Sequence, residues 1–114
     1  MTGVTRLVRV TDAETLPADG PVELCVLLWA HPGHDADLVG YEDRVLALVP
    51  AHGGTVLQRA RSGGQSGHPL EMQFYSFPSE SALQSYLADD RRVALAAERD
   101  RVIARTELIR VEFI

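Results

Sequence analysis

The chain has 114 residues, 46% hydrophobic and 24% charged, the composition of one globular domain, which excludes a repeat array and a disordered polar chain. Its formal net charge of -5 comes from scattered Asp and Glu, and its eleven basic residues, all Arg, form no basic run, so no nucleic-acid partner is expected. No apolar stretch approaches the ~20 residues that span a bilayer and the N-terminus carries no apolar signal core, so no membrane association is expected and a reducing cytoplasm is the simplest location.

Residues 1–21 open with Val4-Thr5-Arg6-Leu7-Val8-Arg9-Val10, an alternating segment, and close with Pro17-Ala18-Asp19-Gly20-Pro21. They are expected to form an ordered N-terminal arm whose residues 6–10 add an extra strand to a sheet edge, of this chain or of a partner, and so protect that edge. Residues 22–114 are expected to form the domain proper.

Over 23–30 the chain is apolar at odd positions (Cys25, Leu27, Trp29) and at even ones (Leu24, Val26, Leu28). A strand apolar at both parities is buried on both faces, so this first strand should be central and covered on each side. The single cysteine, Cys25, lies inside it without a partner for an internal disulfide. It is expected as a buried inert thiol, because thiolate chemistry needs an electropositive, partly exposed setting. His31-Pro32-Gly33-His34-Asp35 then breaks the strand. Asp35 is placed to cap a helix and Asp37 to meet its positive N-terminus, while Leu38, Tyr41, Val45 and Leu48 recur at three- and four-residue spacing as one apolar stripe. The stripe ends near Ala51-His52-Gly53-Gly54, where glycine supplies a left-handed cap.

A second strand over 55–62 is more polar and is assigned to an edge. Gly63-Gly64-Gln65-Ser66-Gly67 suits a hairpin connection, and it lacks the Lys-Ser/Thr and the strand-to-helix context of a phosphate loop. The third strand, 70–77, puts Leu70, Met72 and Phe74 on a face expected to be core. Glu71, Gln73, Tyr75 and Phe77 fall on a mixed face, expected to meet a pocket or a partner. Ser79 caps the second helix, with Glu80 in its first turn and Ala82, Leu83, Tyr86 and Leu87 on its apolar side. Asp89 and Asp90 mark a bend and a new start, Val93, Ala96, Ala97 and Ile103 continue the stripe, and Arg91 and Arg92 read as a solvated helix face. A last strand over 106–114 alternates Ile109, Val111 and Phe113 with Arg110 and Glu112.

Strand, helix, strand, strand, helix, strand is the split βαβ order of the ferredoxin-like fold, an α+β architecture with a four-stranded antiparallel sheet and both helices on one face. Its first and third strands are central, and these two are the most apolar here. The uncovered sheet face calls for a second copy, most simply about a twofold axis.

From about Val22 onward the chain resembles the dimeric α/β-barrel proteins, in particular a family of short bacterial members of unknown function. The resemblance is carried by Tyr41, His52-Gly53-Gly54, Leu70-Glu71, Phe77-Pro78-Ser79 with Glu80 and Ala82, Tyr86 and Arg99. Ser85 stands where such proteins have a Trp, and Arg91 or Arg92 where they have a Tyr. The superfamily resembled includes cofactor-independent antibiotic-biosynthesis monooxygenases, muconolactone isomerases, aromatic polyketide cyclases and haem-degrading oxygenases, and His31-Pro32-Gly33 is similar to a turn of the monooxygenase branch. The resemblance implies a homodimer closing into an α/β barrel, with a pocket between helices and sheet.

Trp29, Tyr41, Tyr75 and Tyr86 are the candidate wall of that pocket, holding a planar apolar or aromatic ligand that the tyrosine hydroxyls orient. The competing reading makes them ordinary core aromatics. His52 and His31 are the candidate general bases, since imidazole titrates near neutrality, and a plain capping role is the alternative. Glu71, inside a strand, requires a partner such as Arg59 or Arg110, either as a structural ion pair or as a proton shuttle, and Arg59 joins the substrate-binding set. His31, His34, Asp35 and Asp37 lie across a Pro-Gly turn without ligand spacing, so no metal and no cofactor are expected. The function expected is a cofactor-independent enzyme of monooxygenase, isomerase or cyclase type acting on an apolar oxygenated metabolite. A non-catalytic ligand-binding or structural accessory dimer is the alternative.

Overall fold

A computed structural model describes residues 20–114, so the edge strand expected at 6–10, and nearly all of the arm expected over 1–21, lie outside the described residues. The elements are β1 (Val22–Ala30), α1 (Asp35–Leu46), a 3-10 turn (Val49–His52), β2 (Thr55–Arg61), β3 (Glu71–Phe77), α2 (Glu80–Leu87), α3 (Asp90–Val93), α4 (Ala96–Val102) and β4 (Ile103–Val111). The four strands form one antiparallel sheet in the order β2-β3-β1-β4, with the helices packed on one face. This is the ferredoxin-like arrangement, with β1 and β3 central and the polar β2 at an edge.

In β1, Val22, Leu24, Val26 and Leu28 are buried against the helices, and the alternate set Glu23, Cys25, Leu27 and Trp29 is half-buried on the opposite face. The helical layer covers one face only. Cys25, expected inside, is therefore half-buried on the open face, where burial still pushes its thiol up and leaves it a poor nucleophile.

β3 reverses the facing expected for it. Glu71, Gln73, Tyr75 and Phe77 are buried beneath the helices, while Met72 and Phe74 lie on the open face, with Phe74 37% exposed. The cause is register. Tyr75, Gln73 and Glu71 sit directly opposite Leu24, Val26 and Leu28, and residues directly opposite across strands share a face, so the aliphatic even set of β1 takes the mixed set of β3 inward with it.

The turn His31–His34 closes through the His34 amide, which donates to the His31 carbonyl at 3.0 Å, so His34 rather than Asp35 occupies the N-cap of α1. Asp35 is already in the first turn, beside Asp37. The α-helix stops at Leu46, and Pro50 in the following 3-10 turn has no N–H to continue an α-helical ladder. Gly53 then takes the left-handed cap at φ +77.

The second helical run is three pieces. Ser79 caps α2 by accepting the Ala82 amide at 3.0 Å, and Asp89 caps α3 by accepting the Arg91 amide at 2.8 Å. The stripe expected to continue past Asp90 does not hold: Val93 is 54% exposed, and Ile103 opens β4 opposite Ala30, beyond a bulge at Trp29/Ala30. β4 thus starts and ends about three residues earlier than its alternation suggested.

Candidate functional site

Beneath α1 the sheet carries a buried polar chain. Gln73 on β3 lies opposite Arg59 on β2, and Glu42 and Asp43 descend from α1 above them. The Gln73 amide donates to Glu42 Oε1 at 2.8 Å and to Glu71 Oε2 at 3.0 Å. Arg59 closes a fork on Glu71, Nε to Oε2 at 2.6 Å and Nη2 to Oε1 at 3.2 Å, and reaches Asp43 Oδ1 through Nη1 at 2.7 Å. Glu71, 1% exposed, thus takes Arg59 as its partner, and Arg110 pairs instead with Glu80 at 2.7 Å. The bond to Glu71 raises the Arg59 pKa, so this guanidinium stays charged. Among the described residues Glu42 has no cation at bonding distance: burial pushes its carboxyl up, and the Gln73 amide only partly offsets that.

Next to this chain three tyrosines fill the layer between helices and sheet. Tyr41, Tyr75 and Tyr86 are 1%, 4% and 1% exposed, and Phe77 links the latter two, with ring centroids 5.9 Å from Tyr75 and 5.3 Å from Tyr86. The Tyr86 hydroxyl donates to the Val45 carbonyl at 3.2 Å, whereas those of Tyr41 and Tyr75 hydrogen-bond to nothing among the described residues. Burial raises all three phenols, Tyr86 to about 12, and the positive charge of Arg92 works against that rise in each. Arg92 therefore belongs to this layer and not to a solvated face. Its guanidinium stands 5.1 Å from the centre of the Tyr86 ring.

His52 meets the same layer from the 3-10 turn, its ring edge-on to Tyr86 at 6.1 Å. Its Nε2 is 2.7 Å from Asp89 Oδ2, and the two side chains are 17% and 7% exposed. Arg91 also grips Asp89, through Nε at 3.0 Å and Nη2 at 2.8 Å. Arg91 first and His52 second hold the Asp89 carboxyl well below the usual carboxylate range. With the proton on Nε2 the ring donates to Asp89, and Nδ1, which makes no hydrogen bond among the described residues, is left as an acceptor.

The structure thus brings Tyr41, Tyr75, Tyr86 and His52 together, with Glu71 and Arg59 joined to them through Gln73 and Glu42. It does not bring in Trp29, which sits on the opposite sheet face, its Nε1 donating to the Gly67 carbonyl at 2.9 Å and its ring 4.3 Å from the Arg105 guanidinium. Nor does it bring in His31, at the far end of β1, where its amide donates to the Val102 carbonyl at 3.0 Å. His31 and His52 flank opposite ends of the central strands, roughly 20 Å of extended chain apart. Near His31, Asp35, Ala36, Val39, Arg61, Ser62, Gly63 and Leu70 line an open groove of about 470 Å³ that includes none of the tyrosines.

Glu42, Asp89 and Arg92 were not among the residues the sequence nominated. Glu42 had a signal, since it lies four residues after Leu38 and three before Val45, on the buried side of α1. Asp89 was legible as part of a bend and a new helical start, but not as the partner of a histidine 37 positions away. Among the described residues no three His, Cys, Asp or Glu side chains gather closely enough to hold a metal ion, and no helix is long and apolar enough to cross a membrane.

No family model matches the sequence, and no curated protein does. Solved structures do match. A proposed antibiotic biosynthesis monooxygenase from Caulobacter crescentus superposes with TM-score 0.71 at 20% identity, covering 90% of this chain and 97% of its own. A DABB family protein with a ferredoxin-like fold from Mesorhizobium loti gives 0.63 at 15% identity, over 83% and 98%. A dimeric protein of unknown function and ferredoxin-like fold from Bacteroides fragilis gives 0.62 at 12% identity, over 85% and 100%. Similarity at these identities lies in the backbone, and on that ground the chain is a ferredoxin-like α+β protein.

Proposed function

We propose that this protein is a homodimer that binds a small, apolar, oxygenated molecule in the layer between helices and sheet and acts on it without a cofactor. The observation that carries the reading is the His52–Asp89 pair seated against Tyr86, a base with its orienting carboxylate beside a wall of tyrosines. Monooxygenation, isomerisation and cyclisation of such molecules share one step, removal of a proton from an activated carbon or hydroxyl, and His52 Nδ1 is the group offered for it. Tyr41, Tyr75 and Tyr86 orient the ligand, while Glu71 with Arg59 stiffens the floor of the site. Dimerisation is supported by the open sheet face, where Cys25, Leu27, Met72, Phe74 and Ile109 are only half covered, and by the Bacteroides protein of the same fold that is described as dimeric.

A second reading, a non-catalytic binding or accessory dimer, draws support from Glu71, whose carboxylate is taken up by Arg59 and Gln73. One experiment separates the two. Wild type, His52→Ala and Tyr86→Phe are titrated with a panel of naphthols, naphthoquinones and cyclic enones while absorbance and oxygen uptake are followed. The catalytic reading expects turnover that falls ~10²-fold or more in His52→Ala with binding retained. Binding without turnover in the wild type selects the accessory reading, and turnover unchanged in both variants removes these residues from the chemistry.

A further inference from the structure

Arg92 presents an imbalance that the groups around it do not resolve. Arg92 is half-buried: its Nε is enclosed and has no hydrogen-bond partner among the described residues, its Nη1 reaches the Leu87 carbonyl at 3.4 Å, and the guanidinium also acts on the Tyr86 hydroxyl. Among the described residues no carboxylate lies within ion-pair distance of it, although Arg44, Arg59, Arg91, Arg101, Arg105 and Arg110 each have one. A buried guanidinium N–H without an acceptor has given up its hydration for nothing. In the same layer the hydroxyls of Tyr41 and Tyr75, on which its charge acts, make no hydrogen bond among the described residues. The carboxylate of this neighbourhood, Glu42, accepts the Gln73 amide through Oε1 and makes no hydrogen bond to Arg92. Among the described residues the layer therefore holds a buried guanidinium N–H without an acceptor and a positive charge that no carboxylate meets at ion-pair distance, and an anionic oxygen aimed at Arg92 Nε would answer both.

We propose that Arg92 binds an oxyanion of the ligand, a carboxylate, enolate or phenolate carried on a planar apolar body, with the Tyr41 and Tyr75 hydroxyls as further donors. The proposal rests on the reading that a small oxygenated molecule occupies this layer, and it adds that molecule's charge and the residue that selects it. The guanidinium supplies both a charge and directed N–H groups, and the Tyr86 ring lies 5.1 Å from its carbon.

Calorimetric titration of the full chain with 2-naphthoate and with 2-naphthamide, alike in shape and different in charge, tests it. Naphthoate is expected to bind at least ~10-fold tighter than the amide, as one charge-assisted hydrogen bond implies. That preference disappears in Arg92→Gln and survives in Arg101→Gln, which alters an exposed arginine outside the layer. Equal affinity of the two probes for wild type, or a preference that persists in Arg92→Gln, overturns the oxyanion assignment and leaves the small-molecule reading standing. Failure of both probes to bind at millimolar concentration removes both readings. Should Arg92→Gln melt below room temperature, the wild-type comparison decides the charge question. Arg92→Lys, keeping the charge without the fork, then shows an intermediate preference if Arg92 is the binding group, and an unchanged one if it is not.

Discussion

At the scale of single residues, the unusual member of the core is Glu42. It is 5% exposed, its carboxyl is pushed up by burial, and the Gln73 amide is the neutral donor that bonds to it. A carboxyl whose folded-state pKa lies above its unfolded value of about 4.3 binds its proton more tightly when folded. Its contribution to stability is therefore greatest at low pH and is lost as pH rises through the folded pKa. Glu42→Gln keeps an acceptor for Gln73 and removes the charge. Its melting temperature should exceed that of wild type by roughly 4–8 °C at pH 7.5, about 1 kcal/mol, and the gap should close as pH approaches 4. Thermal melts at a series of pH values check this, and a gap that widens on acidification would contradict the burial argument. Glu71, equally buried, is different in kind, because the Arg59 fork answers its charge.

At the scale of elements, the closest packing lies where the 3-10 turn hands over to β2. Gly54 is there, and a Cβ added to it would lie 2.7 Å from both Phe77 and Val49, which are 1% and 0% exposed. Neither neighbour is the free end of a flexible chain, so Gly54→Ala is expected to cost about 1–3 kcal/mol, read from urea denaturation midpoints. Loss would spread to His52, whose turn the same contact supports, so Asp89 and His52 should separate in the variant. Ser79 and Gly53 occupy the capping roles expected of them, and Asp89 opens the new helical piece expected there, because such features are decided within four residues of chain. The expected cap at Asp35 and the stripe through Val93 were displaced by one-residue and one-turn effects of the same local kind: an earlier turn closure at His31–His34, and a helix restart at Asp89.

At the scale of the whole molecule, β1 is apolar at both parities, yet one layer of helices covers only its even side. The half-covered strip of Leu27, Met72 and Phe74 runs across the centre of the sheet, with Phe113 reaching Phe74 edge-on at 6.2 Å. If two copies join through it, light scattering at micromolar concentration gives a particle of two 12.5 kDa chains, and Phe74→Glu returns it to one. A wild-type particle of a single chain would leave the odd side of β1 without an explanation.

The sequence by itself determined the order of the elements, the central place of β1 and β3, the edge place of β2 and most caps. Each of these is written in residue periodicity or in a few adjacent positions. The tertiary structure decided which face of β3 turns inward, because a period of two residues says that a strand has two faces and not which one is core; pairing with β1 settles it. It also decided the partners that make up the candidate site. Glu42 and Gln73 are 31 positions apart and His52 and Asp89 are 37 apart, and only the fold's register and helix docking bring such residues within hydrogen-bond reach.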